Sequence, residues 1–361
     1  MRRLAPWLVI AAAAAAFLAP LDAHFIEKWY STRLYIAWQP VVTGVSNGVP
    51  LALFDVILIG TLLAVGAILV SAWRARRTAP RWRTAATVLR RCATLTAALY
   101  LWFVVVWGFN YRRVPLLERL ELVSTSTTAE AVATLGRRAV DELNRLHGPA
   151  HGAGWSDPFR DNALRDAYRR TQSALTPIRA AHPGRFKTTL LGTYFRWASV
   201  DGMIDPFALE VLPNPDLLPF EQPFVAAHEW AHLAGYANEA EASFVGFVTC
   251  MTASVPAQYS GWLFLYWEVT SAVSAEQRRS LDATVHAGPR ADIAAVVERV
   301  RRGQLPTLRM ASWAAYDQYL KANHVEEGVR SYDEVLTLLT RARFADGWTP
   351  VPARVASAGD R

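Results

Sequence analysis

The sequence predicts a mainly α-helical protein in which N-terminal transmembrane helices are followed by a mostly helical domain with a small β element. Three observations lead to this prediction. The first third of the 361-residue chain contains three long apolar runs. Apolar residues recur at helical spacing through most of the remainder, where two short stretches are instead rich in β-branched and aromatic residues. The chain is 52% hydrophobic, which is high for a soluble protein.

The three apolar runs cover residues of about 4–20, 51–73 and 93–109. A helix needs about 20 apolar residues to cross a bilayer, and we predict that each run forms a transmembrane helix within a membrane region of residues 1–112. The first run has two interpretations. It is either a signal peptide with a small residue at Ala23 or an anchor that is not cleaved.

The arginines around these runs predict the orientation of the chain in the cell membrane. Lys and Arg are enriched in cytoplasmic loops, and seven arginines separate the second run from the third. The seven are Arg74, Arg76, Arg77, Arg81, Arg83, Arg90 and Arg91. We therefore expect a multi-pass protein whose chain after Tyr111 is extracytoplasmic, although Arg112 and Arg113 fall on that outer side. The net charge of +7 is concentrated near the membrane runs, so we expect the lipid bilayer as a partner and no nucleic acid.

Residues 113–350 are predicted to form one extracytoplasmic domain that begins with helices. An amphipathic run opens at Ser126 and continues through Leu146. The next six residues, His147–Gly152, include Gly and Pro, and we expect a loop with two solvated histidines there. Residues Asp157–Ala181 again show a helical pattern.

The small β element is expected in the stretches Phe186–Ala198 and Phe207–Leu212, whose composition predicts two short strands. The second of them is the candidate for a free edge that an extended peptide could join. The apolar stretch Ser243–Val273 is divided by Pro256 and Gly261 into segments too short to span a membrane, so we predict two buried helices.

The C-terminal third is predicted to be helical as well. Amphipathic patterns cover Ala291–Arg302 and Trp313–Ala322, and in the second of these Tyr316 occupies a core-facing position. Ser331 can cap a further helix. The last residues, 351–361, are expected to form a flexible tail.

The motif HExxH, which begins at His228, is the most informative functional signal in the chain. Two histidines four apart on a helix point the same way, so His228 and His232 can bind one Zn²⁺. Glu229 lies between them and can accept a proton from a water that the metal activates. Pro223 suits the first turn of such a helix, and Gly235 suits the left-handed residue after its end. The motif predicts a zincin-like metallopeptidase domain.

A catalytic zinc ion usually has three protein ligands and one open position, and Glu239 and Glu241 are the candidates for the third ligand. Asn238 can cap the following helix with Glu241 as its capping-box partner. Glu239 would begin that helix, directly after the turn at Gly235 that folds the chain back toward the histidines. Because Glu241 already has a structural role and a neutral Asn is a poor zinc ligand, the pattern favours Glu239. Two histidines and one glutamate form the ligand set of thermolysin.

Several short segments resemble a family of bacterial membrane proteins defined by a domain of unknown function, number 3810, whose members are thought to be zinc peptidases. The segments are Gly108–Arg112, the HEWAHLAG stretch from His228, Glu239–Phe244, Tyr259–Trp262 and Tyr332–Val335. In related zinc-peptidase families the third ligand is the first Glu of an ExxA(D/N) motif, which implies Glu239 here. Ser243 stands where Asp or Asn is usual in that motif. The resemblance implies no substrate.

Together these features predict a membrane-anchored zinc metallopeptidase with one Zn²⁺, Glu229 as general base and an unidentified peptide or protein substrate. Two alternatives stay open, a non-catalytic membrane zinc-binding sensor or scaffold and a zinc hydrolase of a non-peptide amide. Glu229 argues against the first, because a structural site needs no base. The candidates for supporting the ligands or stabilising an oxyanion are Glu241, Tyr259, Tyr236, His324 and Arg330.

Overall fold

The structure, a computed structural model, describes residues 4–123, 127–176, 180–323 and 334–353. Most of these residues are helical, and they contain one two-stranded sheet, which confirms the mainly α-helical fold with a small β element. The N-terminal elements are α1 (Ala5–Leu18), α2 (Ala23–Phe25), a π-helical segment (Ile26–Leu34), α3 (Tyr35–Gly48), α4 (Leu53–Ala75), α5 (Arg81–Val106) and a 3-10 turn (Gly108–Arg112). The others are α6 (Leu116–Arg119), α7 (Ala129–Ala153), α8 (Asn162–Leu175), α9 (Gly192–Ala198), β1 (Gly202–Asp205), β2 (Glu210–Pro213), α10 (Gln222–Leu233), α11 (Glu239–Met251), α12 (Val255–Ala272), α13 (Ala275–Thr284), α14 (Ala287–Gly303), α15 (Pro306–Ala322) and α16 (Glu334–Arg341).

Two of the helices that the structure describes, α4 and α5, are each long and apolar enough to cross a membrane. Helix α4 coincides with the second predicted run. Helix α5 begins at Arg81, well before the third run, because its arginine-rich first turns are hydrophilic and yet good helix formers. Helix α1 has 14 residues, fewer than a span needs. It reaches the required length only together with the helical stretch Ala23–Gly48, from which it is bent by 111°.

The apolar helices meet the rest of the protein at one end. Helix α1 packs along α5, and α4 and α5 form a hairpin. The indole N–H of Trp102, near the end of α5, donates a hydrogen bond to the carbonyl of Phe207 (2.9 Å). Asp55, the only charge within the second apolar run, accepts one from the backbone N–H of Leu190 (2.9 Å). The arginine-rich turn between α4 and α5 therefore lies at the end of the hairpin away from the domain.

Residues 23–48 form a helical stretch to which the sequence analysis assigned no element. Glu27 makes an ion pair with Arg113 (2.8 Å), whose side chain is only 5% exposed. The hydroxyl of Tyr35 donates to the carbonyl of Leu233 (2.8 Å) in the HExxH helix. These contacts cross the predicted domain boundary at residue 112. They also give Arg113 a structural role that accounts for its place beyond the apolar helices.

Helix α7 continues through His147–Gly152 and ends at Ala153, so the predicted loop was wrong. Pro149 removes one backbone hydrogen bond inside the helix. However, Leu146 and Ala150 on either side of it are buried in the core. Burial of this apolar face outweighs the local cost of Gly and Pro, because tertiary packing supplies most of the stability of a helix.

The two strands pair antiparallel, with Ile204 opposite Val211. In the predicted strand Phe186–Ala198 only Phe186 forms a bridge, to Val211, and the end of that stretch is helix α9. The prediction failed because the buried residues there recur at every third position, which is helical spacing. Strand β2 overlaps the predicted Phe207–Leu212, but it pairs with β1 on one side and the Phe186 segment on the other. It therefore offers no free edge, contrary to expectation.

Helices α11 and α12 are the two buried helices predicted after Ser243. The break between them lies at residues 252–254, and Pro256 is in the first turn of α12. Helix α12 packs against α7, and α11 packs against α10. Trp230 of α10 is the largest fully buried side chain in the described residues, and its carbonyl accepts a hydrogen bond from the hydroxyl of Tyr168 (2.6 Å). The HExxH helix thus packs among helices α8, α11 and α12 and against the two-stranded sheet.

A fully buried ion pair joins strand β2 to the start of the hairpin. The Nζ of Lys187 lies 2.5 Å from Oε2 of Glu210, and both side chains are 0% exposed. The other oxygen of Glu210 accepts a hydrogen bond from the backbone N–H of Phe54 (2.8 Å). This pair therefore fixes the point where the chain enters α4.

The two amphipathic helices predicted in the C-terminal third lie within α14 and α15. The predicted cap Ser331 lies outside the described residues. Residues 351–353, at the start of the predicted tail, pair with the chain around Leu120, and the backbone N–H of Ala353 donates to the carbonyl of Arg119 (2.8 Å). The rest of the predicted tail lies outside the described residues.

Candidate metal centre

Helix α10 presents the two histidines of the HExxH motif on one side. Pro223 lies in its first turn, and Gly235, just past its end, has a φ of +83°. A Cβ at Gly235 would lie 2.8 Å from Oδ1 of Asn110, so the close approach there also requires glycine. The Nε2 atoms of His228 and His232 are 3.1 Å apart. The start and end signals predicted for this helix are confirmed.

Glu239 is the first residue of α11, and the turn at Gly235 brings it back to the histidines. Its Oε2 lies 3.3 Å from Nε2 of His228 and 3.4 Å from Nε2 of His232. Asn238 caps α11 by accepting hydrogen bonds from two backbone N–H groups of the first turn, which fixes the position of Glu239. The three potential ligand atoms all lie within 4.8 Å of one another. We call these three residues the HExxH cluster.

A second contact orients each imidazole. Nδ1 of His232 lies 2.7 Å from the carbonyl oxygen of Tyr236, and Nδ1 of His228 lies 3.2 Å from Oγ of Ser243. A carbonyl oxygen only accepts hydrogen bonds, so His232 donates from Nδ1, and the ring presents a lone pair at Nε2 when it is neutral. Ser243 thus contacts a histidine of the cluster from the motif position where Asp or Asn is usual. Contacts of this kind hold metal-binding imidazoles in place.

Tyr316 supports the carboxylate of the cluster. Its hydroxyl, on α15, donates a hydrogen bond to Oε1 of Glu239, and Oε2 remains directed at the histidines. Tyr316 was predicted to lie on a core-facing stripe, and its contact with Glu239 was not predicted. The one available signal was the hydroxyl itself, since a buried tyrosine usually has a hydrogen-bond partner. Tyr319 stacks on the Tyr316 ring, with ring centroids 6.0 Å apart.

Glu229 is buried, and its Oε2 has no hydrogen-bond partner among the residues that the structure describes. Burial raises the pKa of Glu229, while the nearby His228 and His232 lower it. Gly202 of β1 lies directly against this carboxylate, because a Cβ at Gly202 would lie 2.9 Å from Oε1 of Glu229. A buried carboxylate without a partner is costly, and it is the type of group that serves as a general base.

The HExxH cluster favours a positive charge at its centre. Burial raises the pKa of Glu239, but His232 and His228 hold it well below its usual value. Burial lowers the pKa of His232, but Glu239 raises it to about 9. Three groups with lone pairs converge here, and a divalent cation can satisfy all of them in their deprotonated forms. The residues present therefore fit a zinc ion.

Glu241 is not directed at the HExxH cluster. Its carboxylate accepts a hydrogen bond from the backbone N–H of Leu116 and lies 3.9 Å from the guanidinium of Arg119. It therefore fixes helix α6 to α11 instead of closing the capping box predicted with Asn238. Burial raises the pKa of Glu241, and Arg119 lowers it.

The other candidates lie elsewhere or outside the described residues. The hydroxyl of Tyr259 donates to Oδ2 of Asp292 (2.5 Å) and not to the HExxH cluster. Tyr236 contributes its backbone carbonyl, while its ring lies 5.1 Å from the guanidinium of a neighbouring arginine. His324 and Arg330 lie in the part of the chain that is not described.

Side chains from the N-terminal segments cap the last carbonyl groups of α10. The indole N–H of Trp107 donates to the carbonyl of His232 (2.9 Å), and the hydroxyl of Tyr35 donates to that of Leu233 (2.8 Å). The final carbonyls of a helix have no partner within the helix. These donors hold the ligand-bearing end of α10, and no sequence motif indicated them.

The fold and the HExxH cluster define a helical protein with apolar N-terminal helices and a buried group of two histidines and a glutamate. The chain matches the family described as Protein of unknown function (DUF3810) over residues 30–340 and belongs to it. The resemblance predicted from short segments is thereby confirmed at the level of this family. Comparison with curated proteins and with solved structures gave no significant match.

Proposed function

We propose that this protein is a membrane-anchored zinc metallopeptidase. The observation that carries the proposal is the convergence of His228, His232 and Glu239 beside the buried, unpartnered carboxylate of Glu229. A structural zinc site is usually closed by four protein ligands, whereas a catalytic site has three and keeps one position open. Three ligands next to a base therefore support hydrolysis better than a purely structural role.

Zinc suits this set of donors better than a hard cation does. Two imidazoles and one carboxylate are ligands of catalytic zinc, whereas Mg²⁺ and Ca²⁺ prefer oxygen ligands alone. When bound, Zn²⁺ supplies a Lewis acid that polarises a carbonyl oxygen and makes water more acidic. The contribution of the chain is to hold the ligands rigidly. Ser243, Tyr236 and Tyr316 each orient one of them.

Glu229 would accept the proton of the attacking water and later deliver it to the leaving amine. Its Oε2 is available for that proton, because no described group is bonded to it. Burial raises the pKa of Glu229, and a base whose pKa is closer to the operating pH transfers protons more effectively.

Strand β1 is the best-placed edge for an extended peptide substrate. The backbone N–H of Asn214 donates to the carbonyl of Asp201 (2.8 Å), and alternate pairs of an antiparallel ladder are hydrogen bonded. By this alternation Gly202 and Ile204 direct their N–H and C=O groups away from β2. The edge lies beside Glu229, which Gly202 contacts. A peptide that pairs with it would lie next to the base.

The apolar helices supply the proposed anchor. Helices α4 and α5 would both cross the bilayer, with their arginine-rich connection in the cytoplasm. The domain contacts the opposite end of the hairpin, where Asp55 and Trp102 bond to it. This orientation places the HExxH cluster outside the cytoplasm.

The proposal is tested with the full-length protein purified in detergent. We expect Glu229→Gln to retain zinc, measured by mass spectrometry of the metal, while hydrolysis of unfolded protein and of a peptide library falls by roughly 10²–10⁴-fold. The matched control is Glu130→Gln, which makes the same chemical change at an exposed position of α7. This control should leave both quantities unchanged.

Each other outcome of this experiment has a definite meaning. Full hydrolysis by Glu229→Gln would overturn the role of the base, and a wild-type protein without zinc would overturn the metal site. A wild-type protein that binds zinc but cleaves no peptide would contradict the proposed peptidase activity. It would favour a zinc-binding scaffold or a hydrolase of non-peptide amides.

A further inference from the structure

A second group of metal-ligating side chains lies outside the HExxH cluster, at the end of α7. His147 and His151 are one helical turn apart, with ring centroids 4.3 Å apart. Asp292 of α14 faces them. Its Oδ2 lies 2.9 Å from Nε2 of His151 and 3.6 Å from Nε2 of His147. The ligand atoms of these three residues, which we call the His147 cluster, all lie within 4.8 Å of one another.

We propose that the His147 cluster binds a second divalent transition-metal ion, with Zn²⁺ as the best match, that joins α7 to α14. Two imidazoles and one carboxylate are ligands that Zn²⁺ accepts, and the histidine spacing allows both rings to reach one ion. The side chains of His147 and His151 are 28% and 37% exposed, so an ion from solution can reach them.

The alternative for these residues is a group held by hydrogen bonds alone, and the geometry fits that alternative less well. His151 is within hydrogen-bond distance of Asp292, but His147 at 3.6 Å is too far for a hydrogen bond. Both Nε2 atoms are nevertheless directed at the same carboxylate oxygen. A metal ion requires several ligand atoms that converge on one point.

Two further contacts hold the cluster in this arrangement. The hydroxyl of Tyr259 donates to Oδ2 of Asp292 (2.5 Å), and the aspartate is only 8% exposed. Gly288 lies against the ring of His147, because a Cβ at this position would be 2.5 Å from the ring. Any other residue at 288 would displace the imidazole. A buried carboxylate held by a tyrosine is the type of supporting contact that metal ligands have.

The surroundings of the His147 cluster indicate a structural role for the metal. The residues between its histidines are Gly148, Pro149 and Ala150, none of which can act as a base. Helix α14 carries Arg299 two turns beyond Asp292, and this arginine donates to Glu221 (2.7 Å), next to the start of α10. A metal that fixes α14 to α7 would therefore also fix an arginine that supports the HExxH helix.

The test is the number of zinc ions bound by the full-length protein in detergent after loading with Zn²⁺ and removal of unbound metal. We expect two per chain in the wild type and one in His151→Ala. Asp292→Asn should also bind one, since it removes the anionic ligand but keeps a side chain that can bond to Tyr259. The matched control His286→Ala removes an exposed histidine next to the same helix and should leave two.

The variants of the two sites separate this proposal from the proposed function. His228→Ala should lose the other ion and retain the one at the His147 cluster, and Glu229→Gln should retain both. If the wild type binds only the ion that His228→Ala removes, the second site is wrong. The same holds if both His151→Ala and Asp292→Asn still bind two. If His151→Ala does not fold, judged by circular dichroism, the zinc content of Asp292→Asn decides.

Discussion

Two helices of this protein carry a pair of histidines four residues apart, and the pairs differ in what surrounds them. The side chains of His228 and His232 on α10 are 15% and 7% exposed, and those of His147 and His151 on α7 are 28% and 37% exposed. Both pairs face one carboxylate. Only the α10 pair has a glutamate, Glu229, between its histidines. Under the two proposals the same histidine spacing binds a metal ion at two places, but only the α10 pair combines deeper burial with a candidate general base.

The carboxylates also come from different distances along the chain. Glu239 follows His232 after a single turn, whereas Asp292 is separated from His151 by 141 positions. The HExxH cluster is therefore a local structure that one helix-turn-helix segment completes. The His147 cluster forms only when α14 packs against α7, so its ligands depend on the tertiary fold.

The largest expected effect separates the two histidine pairs directly. His232→Ala should abolish the proposed zinc site, with a loss of hydrolysis on the order of 10³-fold or more, because a metal supplies several kcal/mol of transition-state stabilisation. His151→Ala should keep most of the hydrolysis. Peptide cleavage by the two variants, measured at equal protein concentration, checks this. Equal losses in both would remove the functional distinction between the pairs.

Metal removal should show whether both clusters contribute to stability. At a free zinc concentration of 100 times the dissociation constant, each occupied site stabilises the folded state by about 2.7 kcal/mol. For a chain of 361 residues that is about 3–4 °C in unfolding temperature. We expect EDTA to lower the unfolding temperature of the wild type more than that of His151→Ala. An equal shift in a variant that lacks both His151 and His232 would show that neither cluster is responsible.

The supporting tyrosines offer a sharper comparison of the two clusters. Tyr316→Phe removes the hydroxyl that bonds to Glu239 and should weaken zinc binding at the HExxH cluster by about 10–100-fold. Tyr259→Phe removes the bond to Asp292 and should leave that affinity unchanged. Competition with a chromophoric chelator measures both. If Tyr259→Phe weakened zinc at the HExxH cluster as much, the clusters would not be independent.

The smallest expected effect concerns the glycines that end the two helices. Gly235 after α10 and Gly154 after α7 have φ values of +83° and +78°. Alanine in either position is strained by about 1–3 kcal/mol, because φ is positive at both and Gly154 also has a ψ of 171°. Only Gly235→Ala also brings a Cβ to 2.8 Å from Asn110, while Gly154 has nothing within 4 Å. We expect Gly235→Ala to be less stable than Gly154→Ala by about 1 kcal/mol in denaturant unfolding. Equal free energies of unfolding for the two variants would mean that the contact between the new Cβ and Asn110 relaxes without cost.

The same contrast explains how much the sequence could predict. The start and end of α10, its histidine spacing and the position of Glu239 follow from residues within one short segment, and the structure brings these residues together as that pattern implies. The roles of these residues in binding zinc and in hydrolysis remain predictions. Two apolar helices and two buried helices were also predictable, since hydropathy and length determine them.

The features that were missed depend on contacts between distant residues. Tyr316 reaches Glu239 only because the tertiary fold brings its hydroxyl on α15 to the start of α11, and nothing in its local pattern separates it from a core tyrosine. His147 and His151 share a helix because burial of Leu146 and Ala150 outweighs Gly148 and Pro149. The helical stretch of residues 23–48 is held by partners beyond residue 100, such as Arg113. Local propensity carries no information about such contacts.

The capping of α10 by Trp107 and Tyr35 has a consequence for where the protein can work. Both donors precede residue 113, so cleavage of the chain near that residue would separate them from α10. The fragment would retain its histidines and the hydrogen bond from the backbone N–H of Gly235 to the carbonyl of His232, but it would lose the donor to the carbonyl of Leu233, at a cost of about 1–3 kcal/mol if that carbonyl stays buried. Under the proposed function, we expect such cleavage to lower hydrolysis, so that the proposed activity would depend on an attached membrane region.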